Sequence, residues 1–435
     1  MLALAALAGA GCTASNDVAE PPPAPVTPPP PPPQSSAVAP PLTTDPVLPL
    51  EAEPAIAVPA APTGPLSRFF AALGSLERRE RTDHVRMMWI GDSHAAADYW
   101  SGAVRSTLQT RFGKAGPGYV YLGYKGYRHD GVTLDVAGKW GMSPKGPATS
   151  KPTGDGAFGL GGVLLRGFAD APRVTMTLGD VVDPQAHLVW DLCYKLGASS
   201  DELTVSLGNG PRQVLRQSAG DASTALRRLP LTSVGPTALQ VTPTAGRPQL
   251  CGVVVETDPV NGPGFILDML GINGARFGTV LAWNEQHWAD EVARRKPELV
   301  LLEFWTNEAS DPNTRPQVFG RQLEQVVARI RRALPEADCG IVAPTDRADT
   351  EERMGPIRDA LRDSARNAGC WFFDTYQAMG GRGAAKRWRD EVPPRVATDG
   401  IHLTNKGYRE LGQALAGALL RGYAGDPRPP GDPKP

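Results

Sequence analysis

Two short segments hold residue types that together make a nucleophilic hydroxyl: Gly91-Asp92-Ser93-His94, and Thr398-Asp399-Gly400-Ile401-His402-Leu403. A serine hydroxyl attacks an acyl carbon only when a neutral imidazole takes its proton. The imidazole needs its other nitrogen held by an acceptor, and a nearby carboxylate fixes that tautomer and stabilises the imidazolium. Asp399 and His402 can do this from one loop, with Ser93 as nucleophile. Acyl transfer also needs donors for the oxyanion. The backbone N–H of Ser93, the side-chain amide of Asn307 in Phe304-Trp305-Thr306-Asn307-Glu308 and a backbone N–H at Gly274 in Gly271-Ile272-Asn273-Gly274-Ala275 are candidates. Asp92, His94 and Trp305, beside these residues, are candidate pocket-lining groups, with His94 shaping the turn rather than acting as base. Each feature alone has a plainer reading, since Asp and Ser are ordinary helix caps and DxxH fits a surface turn. The chemistry calls for no metal and no organic cofactor.

Four separated segments can meet only if the fold places each at the same edge. VRMMWI (85–90) reads as a buried strand, and Trp100, Val104, Leu108 and Phe112 recur at every fourth residue behind it, the stripe of a helix packed on a sheet. The alternation returns with strand-like FILDML (265–270), ELVLLEF (298–304), GIVAP (340–344) and WFFD (371–374). Helical stripes lie between and after them, Phe319, Leu323, Val326, Val327 and Ile330 in one, Tyr408, Leu411, Leu415 and Leu419 in the last. Strands alternating with helices predict a parallel α/β sheet. Ser93, Gly274 and Asn307 then each follow a strand's carboxyl end, and Asp399 and His402 precede the last helix.

Residues 131–261 break this rhythm. RVTMTLG, HLVWDLCYKL, LTVSLGN, ALQVTPT and QLCGVVVET alternate with period two, separated by Gly, Pro and Asn. This predicts an all-β sandwich inserted after the first βα unit. The hydrolytic residues are thereby divided between 66–130 and 262–425. Cys193 and Cys251 could pair within the insertion, and Cys339 and Cys370 between neighbouring strands; free thiols are equally compatible with the sequence.

The chain has 435 residues with a formal net charge of -1, so it lacks the basic excess that binding a nucleic-acid backbone requires. MLALAALAGAGC is a short apolar run ending in small residues before Cys12, too short to span a bilayer, and reads as a signal h-region. Its end resembles a bacterial lipobox, which makes Cys12 the expected lipidation site and residues 1–19 the anchor region. Residues 20–65 are dominated by Pro and Ala and predict an extended tether, and 426–435 is a Pro-rich tail. At roughly 3.1 Å per residue, ~45 such residues reach up to ~140 Å. Export to the cell envelope, as a lipoprotein of the periplasm or outer membrane, is the expectation.

The four segments resemble the blocks of the SGNH, or GDSL-like, hydrolase superfamily. The match covers roughly 85–130 and 262–421. It implies a flavodoxin-like three-layer parallel sheet, Ser93 as nucleophile and oxyanion donor, Gly274 and Asn307 completing the oxyanion hole, and Asp399 and His402 completing the triad. The family's third block usually reads Gly-x-Asn-Asp, whereas this chain has Trp305-Thr306-Asn307-Glu308. The wording GDSHAAAD, GINGA and TNEA, with a β-rich insertion between the first two blocks, is similar in particular to bacterial peptidoglycan O-acetylesterases. In those enzymes the inserted domain resembles a carbohydrate-binding module. The resemblance implies an acetylated glycan as substrate, with acetylated xylan or other glycans as alternatives, and an acyltransferase using the same acyl-serine intermediate as the alternative activity.

Two other classes compete. Asp92-Ser93-His94 also fits the DxH metal motif of metallophosphoesterases, and Gly179-Asp180-Val181-Val182-Asp183 fits their GDxxD, but no GNH[DE] block follows. An inactive glycan-binding lipoprotein is the other, against which stands the full set of triad and oxyanion candidates. Asp98 reads as a structural acceptor. Trp140, Trp190, Trp283, Trp288 and Trp305 are sugar-stacking candidates or core residues, and His129 and His287 have no assignable role. A histidine base predicts activity falling below about pH 6, near the ordinary imidazole pKa.

Overall fold

The structure, a computed structural model, describes residues 64–144, 154–218, 225–313 and 315–425. Cys12, nearly all of the 20–65 stretch and the 426–435 tail lie outside these residues. The chain opens with α1 (Ser67–Glu77), β1 (Val85–Gly91), α2 (Ser93–Ala96) and α3 (Tyr99–Phe112). A run of strands follows: β2 (Gly118–Val120), β3 (Val132–Ser143), β4 (Leu164–Leu178), β5 (His187–Lys195), β6 (Glu202–Leu207), β7 (Gln213–Arg216), β8 (Arg227–Val234), β9 (Ala238–Ala245) and β10 (Gln249–Thr257). Alternation resumes with β11 (Phe265–Gly271), α4 (Phe277–Leu281), α5 (Glu285–Arg295), β12 (Leu299–Glu303), α6 (Pro316–Ala333), β13 (Asp338–Val342) and α7 (Glu351–Asn367). β14 (Trp371–Phe373), α8 (Thr375–Ala378), α9 (Ala384–Arg389) and α10 (Asn405–Gly425) complete it.

β1, β11, β12, β13 and β14 form a parallel sheet in the order β11-β1-β12-β13-β14. Every residue of β1, β11 and β12 is buried, because helices cover both faces of such a sheet. α3 and α10 pack together on one side, and α6 packs with α5 and α7 on the other. In this second-first-third-fourth-fifth order the chain reverses direction between β1 and β12. This is the topological switch point, and open α/β sheets bind ligands beyond the strands' carboxyl ends at such a point.

The insertion is antiparallel, in the order β7-β6-β9-β4-β10-β5-β8, with β3 on β4 and β2 on β10. Its two leaves share one long hairpin. Leu165 and Arg166 of β4 pair with β10, while Val174–Thr177 pair with β9. β3 follows the bend, its register shifting between Ala137 and Trp140. The sheet takes in Gly118–Val120, ahead of the expected start at 131. Charged groups fasten it to the parallel sheet. Arg295 bonds Asp268 of β11 at 2.7 Å and Glu256 of β10 at 2.5 Å, and Arg86 of β1 reaches both oxygens of Glu256 at 3.0 Å. Burial pushes the Glu256 carboxyl up, but Arg295 and Arg86 outweigh it and hold it at about 2.

Both cysteine pairs are closed. Cys339 at β13 joins Cys370 just ahead of β14, and Cys193 of β5 joins Cys251 at the β-bulge of β10. They span 31 and 58 residues, which in the chain-entropy account restrict the unfolded chain by roughly 3.5 and 4 kcal/mol. Replacing either pair by serine should lower the urea midpoint accordingly; an unchanged midpoint would show that the bridge does not stabilise the fold.

Asp98, the residue ahead of α3, is fully buried in a left-handed conformation at φ 47°. Its carboxylate accepts from Ser101 at 2.5 Å, from Arg105 at 2.7 and 2.8 Å and from the Asp130 N–H at 2.6 Å. His129 lies against it at 3.6 Å, and burial with the Arg105 charge depresses this imidazole to about 4, so it stays neutral. Asp98 thus ties the helix behind the serine turn to the chain entering the insertion. Asp98→Ala would leave Arg105 buried without its counter-charge and should cost about 3–5 kcal/mol, read as a loss in chemical denaturation. A cost under about 1 kcal/mol would contradict this.

Candidate active site

β1 ends at Gly91, paired in register with Gly271 at the end of β11. A Cβ on Gly91 would meet a Glu303 carboxylate oxygen at 2.6 Å and the Ala95 Cβ at 2.8 Å; one on Gly271 would meet the Ala96 nitrogen at 2.2 Å. With both positions bare, the one-turn helix α2 sits directly on the strand ends. Asp92 caps it, accepting the His94 N–H at 2.9 Å. Ser93 is the first helical residue, so its N–H has no partner within the helix.

The second segment folds as a tight surface turn. Val396 and Leu403 form a bridge, and the Ala397 N–H donates to the His402 carbonyl at 2.8 Å. Asp399 Oδ1 accepts from the Ile401 and His402 N–H groups at 2.9 and 3.0 Å, leaving Oδ2 for His402 Nδ1 at 2.7 Å. Burial raises the Asp399 carboxyl, but the His402 ring and these two N–H donors more than compensate and hold it below the usual range. With Nδ1 as donor, Nε2 is the acceptor, and it lies 2.8 Å from Ser93 Oγ. Ser93, His402 and Asp399 therefore form one hydrogen-bonded relay. His402 and Asp399 remain 40% and 47% exposed, so the relay opens to solvent.

The other two segments converge on the same place. Gly274 sits in a turn at φ 79°, and Asn307 follows β12. The Asn307 amide nitrogen lies 3.0 Å from the carbonyl of Ala275, next to Gly274, and 3.4 Å from Asp92 Oδ2, next to Ser93.

Asp92, His94 and Trp305 do not line a pocket: each has no exposed surface. Asp92 is turned inward by its capping bond. Burial above all, with the nearby Glu308, pushes its carboxyl up to about 7. His94 lies beneath His402, ring centroids 5.2 Å apart, with Nδ1 2.9 Å from the Tyr408 hydroxyl. Burial, with the charges of His402 and Arg347, depresses it to about 3 and keeps it neutral. Trp305 has φ 99°, the backbone of the glycine usual at this position, at an ordinary strain of about 1–3 kcal/mol. That backbone sends the indole into the core, 4.7 Å from the Phe277 ring, with its N–H on the Val342 carbonyl at 3.2 Å.

Sequence reasoning missed three buried residues at this edge. Tyr408 reads as one more apolar position of the last helix. Glu303 ends a hydrophobic strand, and its carboxyl is raised well above the ordinary range by burial and by Asp92. Glu308, visible only as the unusual residue of its block, accepts from the Phe277 and Trp305 N–H groups at 2.8 and 3.1 Å. Among the other candidates, Trp190, Trp283 and Trp288 are buried, and Trp140 covers Gly123. His287 accepts the Gly159 N–H at 3.1 Å, tying α5 to the insertion. Asp180 and Asp183 are exposed in the β4–β5 turn, while Asp92 is engaged as a cap, so the metallophosphoesterase pattern does not assemble. Among the described residues no group of three or more His, Cys, Asp or Glu side chains is arranged to hold a metal ion.

Residues 238–410 match the GDSL-like lipase/acylhydrolase family. No curated protein matches the chain. Among solved structures, the chain is similar to a peptidoglycan O-acetylesterase, with a TM-score of 0.67 at 24% identity, over 83% of this chain and 98% of that one. A lipase/acylhydrolase from Enterococcus faecalis aligns at 19% identity over 36% of this chain and 76% of its own, with a TM-score of 0.29. An acetylxylan esterase from Geobacillus stearothermophilus aligns at 17% over 37% and 73%, also at 0.29. With its parallel sheet and its serine turn the chain has the SGNH-hydrolase fold, and with the GDSL-like match confined to residues 238–410 it is a serine esterase.

Proposed function

We propose that the chain is an exported O-acetylesterase that removes acetyl groups from a cell-envelope glycan, peptidoglycan in the first place, through an acyl-Ser93 intermediate. The observation that carries this reading is the relay from Ser93 Oγ to His402 Nε2 at 2.8 Å and from His402 Nδ1 to Asp399 at 2.7 Å. In the first step Ser93 Oγ attacks the acetyl carbonyl and its proton passes to His402 Nε2. The tetrahedral intermediate collapses with cleavage of the bond to the sugar oxygen, which leaves with that proton. Water then attacks the acyl-serine, giving a proton to His402, and acetate departs as Ser93 Oγ recovers it. The developing oxyanion is received by the Ser93 N–H, the Gly274 turn and Asn307, whose 3.4 Å contact to Asp92 is long enough for one amide hydrogen to be redirected.

The glycan is supported by the fold's likeness to a peptidoglycan O-acetylesterase, which spans the β insertion as well as the parallel sheet. An open relay suits an acetyl group on a long polymer better than an enclosed small molecule. The envelope location is supported by the apolar run ending at Cys12 and the Pro/Ala-rich stretch behind it, with Cys12 as the lipid anchor.

Ser93→Ala should reduce acetate release from O-acetylated peptidoglycan to background while leaving the fold and glycan binding intact; surviving hydrolysis would refute the mechanism. Release from acetylated xylan at an equal or higher rate would move the substrate away from peptidoglycan. Asp399→Asn leaves the ring without its fixing carboxylate and should lower kcat by about 10⁴. A loss smaller than tenfold, measured with 4-nitrophenyl acetate, would mean that the Asp399–His402 bond does not set the tautomer.

A further inference from the structure

Glu308 is a carboxylate at this edge that laces the Gly274 and Asn307 loops together without being part of the relay. Its Oε1 accepts the N–H of Phe277, three residues beyond Gly274, at 2.8 Å, and its Oε2 accepts the N–H of Trp305, two residues before Asn307, at 3.1 Å. Asn307 sits between those anchors, and its amide closes the same gap on the Ala275 carbonyl at 3.0 Å. The chain has an unusual need for such a clamp here. Trp305 holds a φ of 99°, a conformation that side-chain-bearing residues rarely adopt, and stays in it only if its surroundings over-determine it. Ala309 N–H on the Trp305 carbonyl at 2.9 Å, the indole on Val342 and the Glu308 carboxylate on the Trp305 N–H do so from three sides.

From this geometry we infer that Glu308 is the positioning residue of the oxyanion side: it holds the Gly274 turn against the Trp305 backbone and thereby aims the Asn307 amide at the acyl oxygen. The inference rests on the acyl-serine reading given above. Both oxygens of Glu308 face N–H donors, so glutamine, with one acceptor and one NH₂, is the wrong isostere; aspartate keeps both acceptors on a shorter arm.

Kinetics with 4-nitrophenyl acetate test this in a double-variant cycle. Glu308→Gln should lower kcat by roughly 10- to 10³-fold with KM within about threefold of wild type, the size expected when an oxyanion donor is displaced. Glu308→Asp should lose less. In an Asn307→Ala background, Glu308→Gln should cost no more than about threefold, since the group it aims is gone. A merely structural Glu308 would instead give its full loss in both backgrounds, which would overturn the inference, as would a wild-type kcat or a rise in KM alone. If Glu308→Gln does not fold, Glu308→Asp in the two backgrounds decides by the same criteria. Ser93→Ala keeps the two claims apart: activity surviving in Ser93→Ala sinks the acyl-serine reading itself, whereas its loss alongside a fully active Glu308→Gln sinks only the clamp.

Discussion

A hydroxyl on residue 93 lies 2.8 Å from a ring nitrogen on residue 402, and most of the fold can be read as the means of meeting that distance. The hydroxyl is placed by β1, whose carboxyl end is bare at Gly91 so that the serine turn can rest on it. The imidazole is placed by the start of α10, which packs along α3, the helix that follows the same turn. Gly412 brings the two helices together, since a Cβ there would meet the Ala103 Cβ and the Trp100 carbonyl at 2.6 Å. One pair of helices on one face of the sheet therefore joins the two halves of the relay. His94 and Tyr408 fill the space between them, and because His94 stays neutral its ring adds no charge that would oppose an imidazolium on His402.

The insertion enters and leaves the hydrolytic layer within this arrangement without disturbing it. It departs after α3 and returns at β11, the strand beside β1. A flexible junction there would move the Gly271 end of β11 against the serine turn. Arg86 of β1 and Arg295 of α5 prevent this by reaching across to Glu256 of β10, Arg295 being held in turn by Asp268 of β11. Asp268 also accepts the Tyr119 N–H at 2.9 Å, fixing β2 to β11. Ion pairs of this kind are dear to desolvate, and their return is directional: they fix register where an apolar contact would slide.

The parallel sheet was legible because fully buried strands are continuous apolar runs and their helices carry clean stripes. The relay was legible because its three side chains are polar, solvent-facing and close in sequence to strand ends or to one another. What escaped was of two kinds. β8, Arg227–Val234, carries two arginines and a proline, composition that denies a central strand, and β8 is tolerated because it lies at the edge of its sheet. β3 holds two glycines where it bends with β4, which interrupts the period-two pattern. The inward turn of Trp305, and with it the work of Glu308, depends on a single φ value that sequence pattern does not carry. A tryptophan beside an oxyanion candidate looks like a pocket wall; only its backbone shows that it is a glycine position filled from the core side.

The edge that carries the site and the Asp98 cluster behind it hold groups whose protonation burial shifts, and they pull in opposite directions. Asp92 and Glu308 are raised to about 7, mainly by burial, so the folded chain keeps protons that the unfolded chain releases near 4. Their contribution to stability is present below that range and is lost as pH rises through about 7. His94 and His129 are lowered to about 3 and 4, again by burial. Theirs is present above about 6.5 and is lost as pH falls toward those values. Between about 4.5 and 6.5 the two sets oppose one another, and the slope of stability with pH is reduced there. Above that window the acids ionise, which costs stability, yet ionised Glu308 is the form with two free acceptors for the Phe277 and Trp305 N–H groups. The state in which the oxyanion side is best held is therefore one in which the fold is under the greater electrostatic load, the usual relation between a strained, buried site and the scaffold around it.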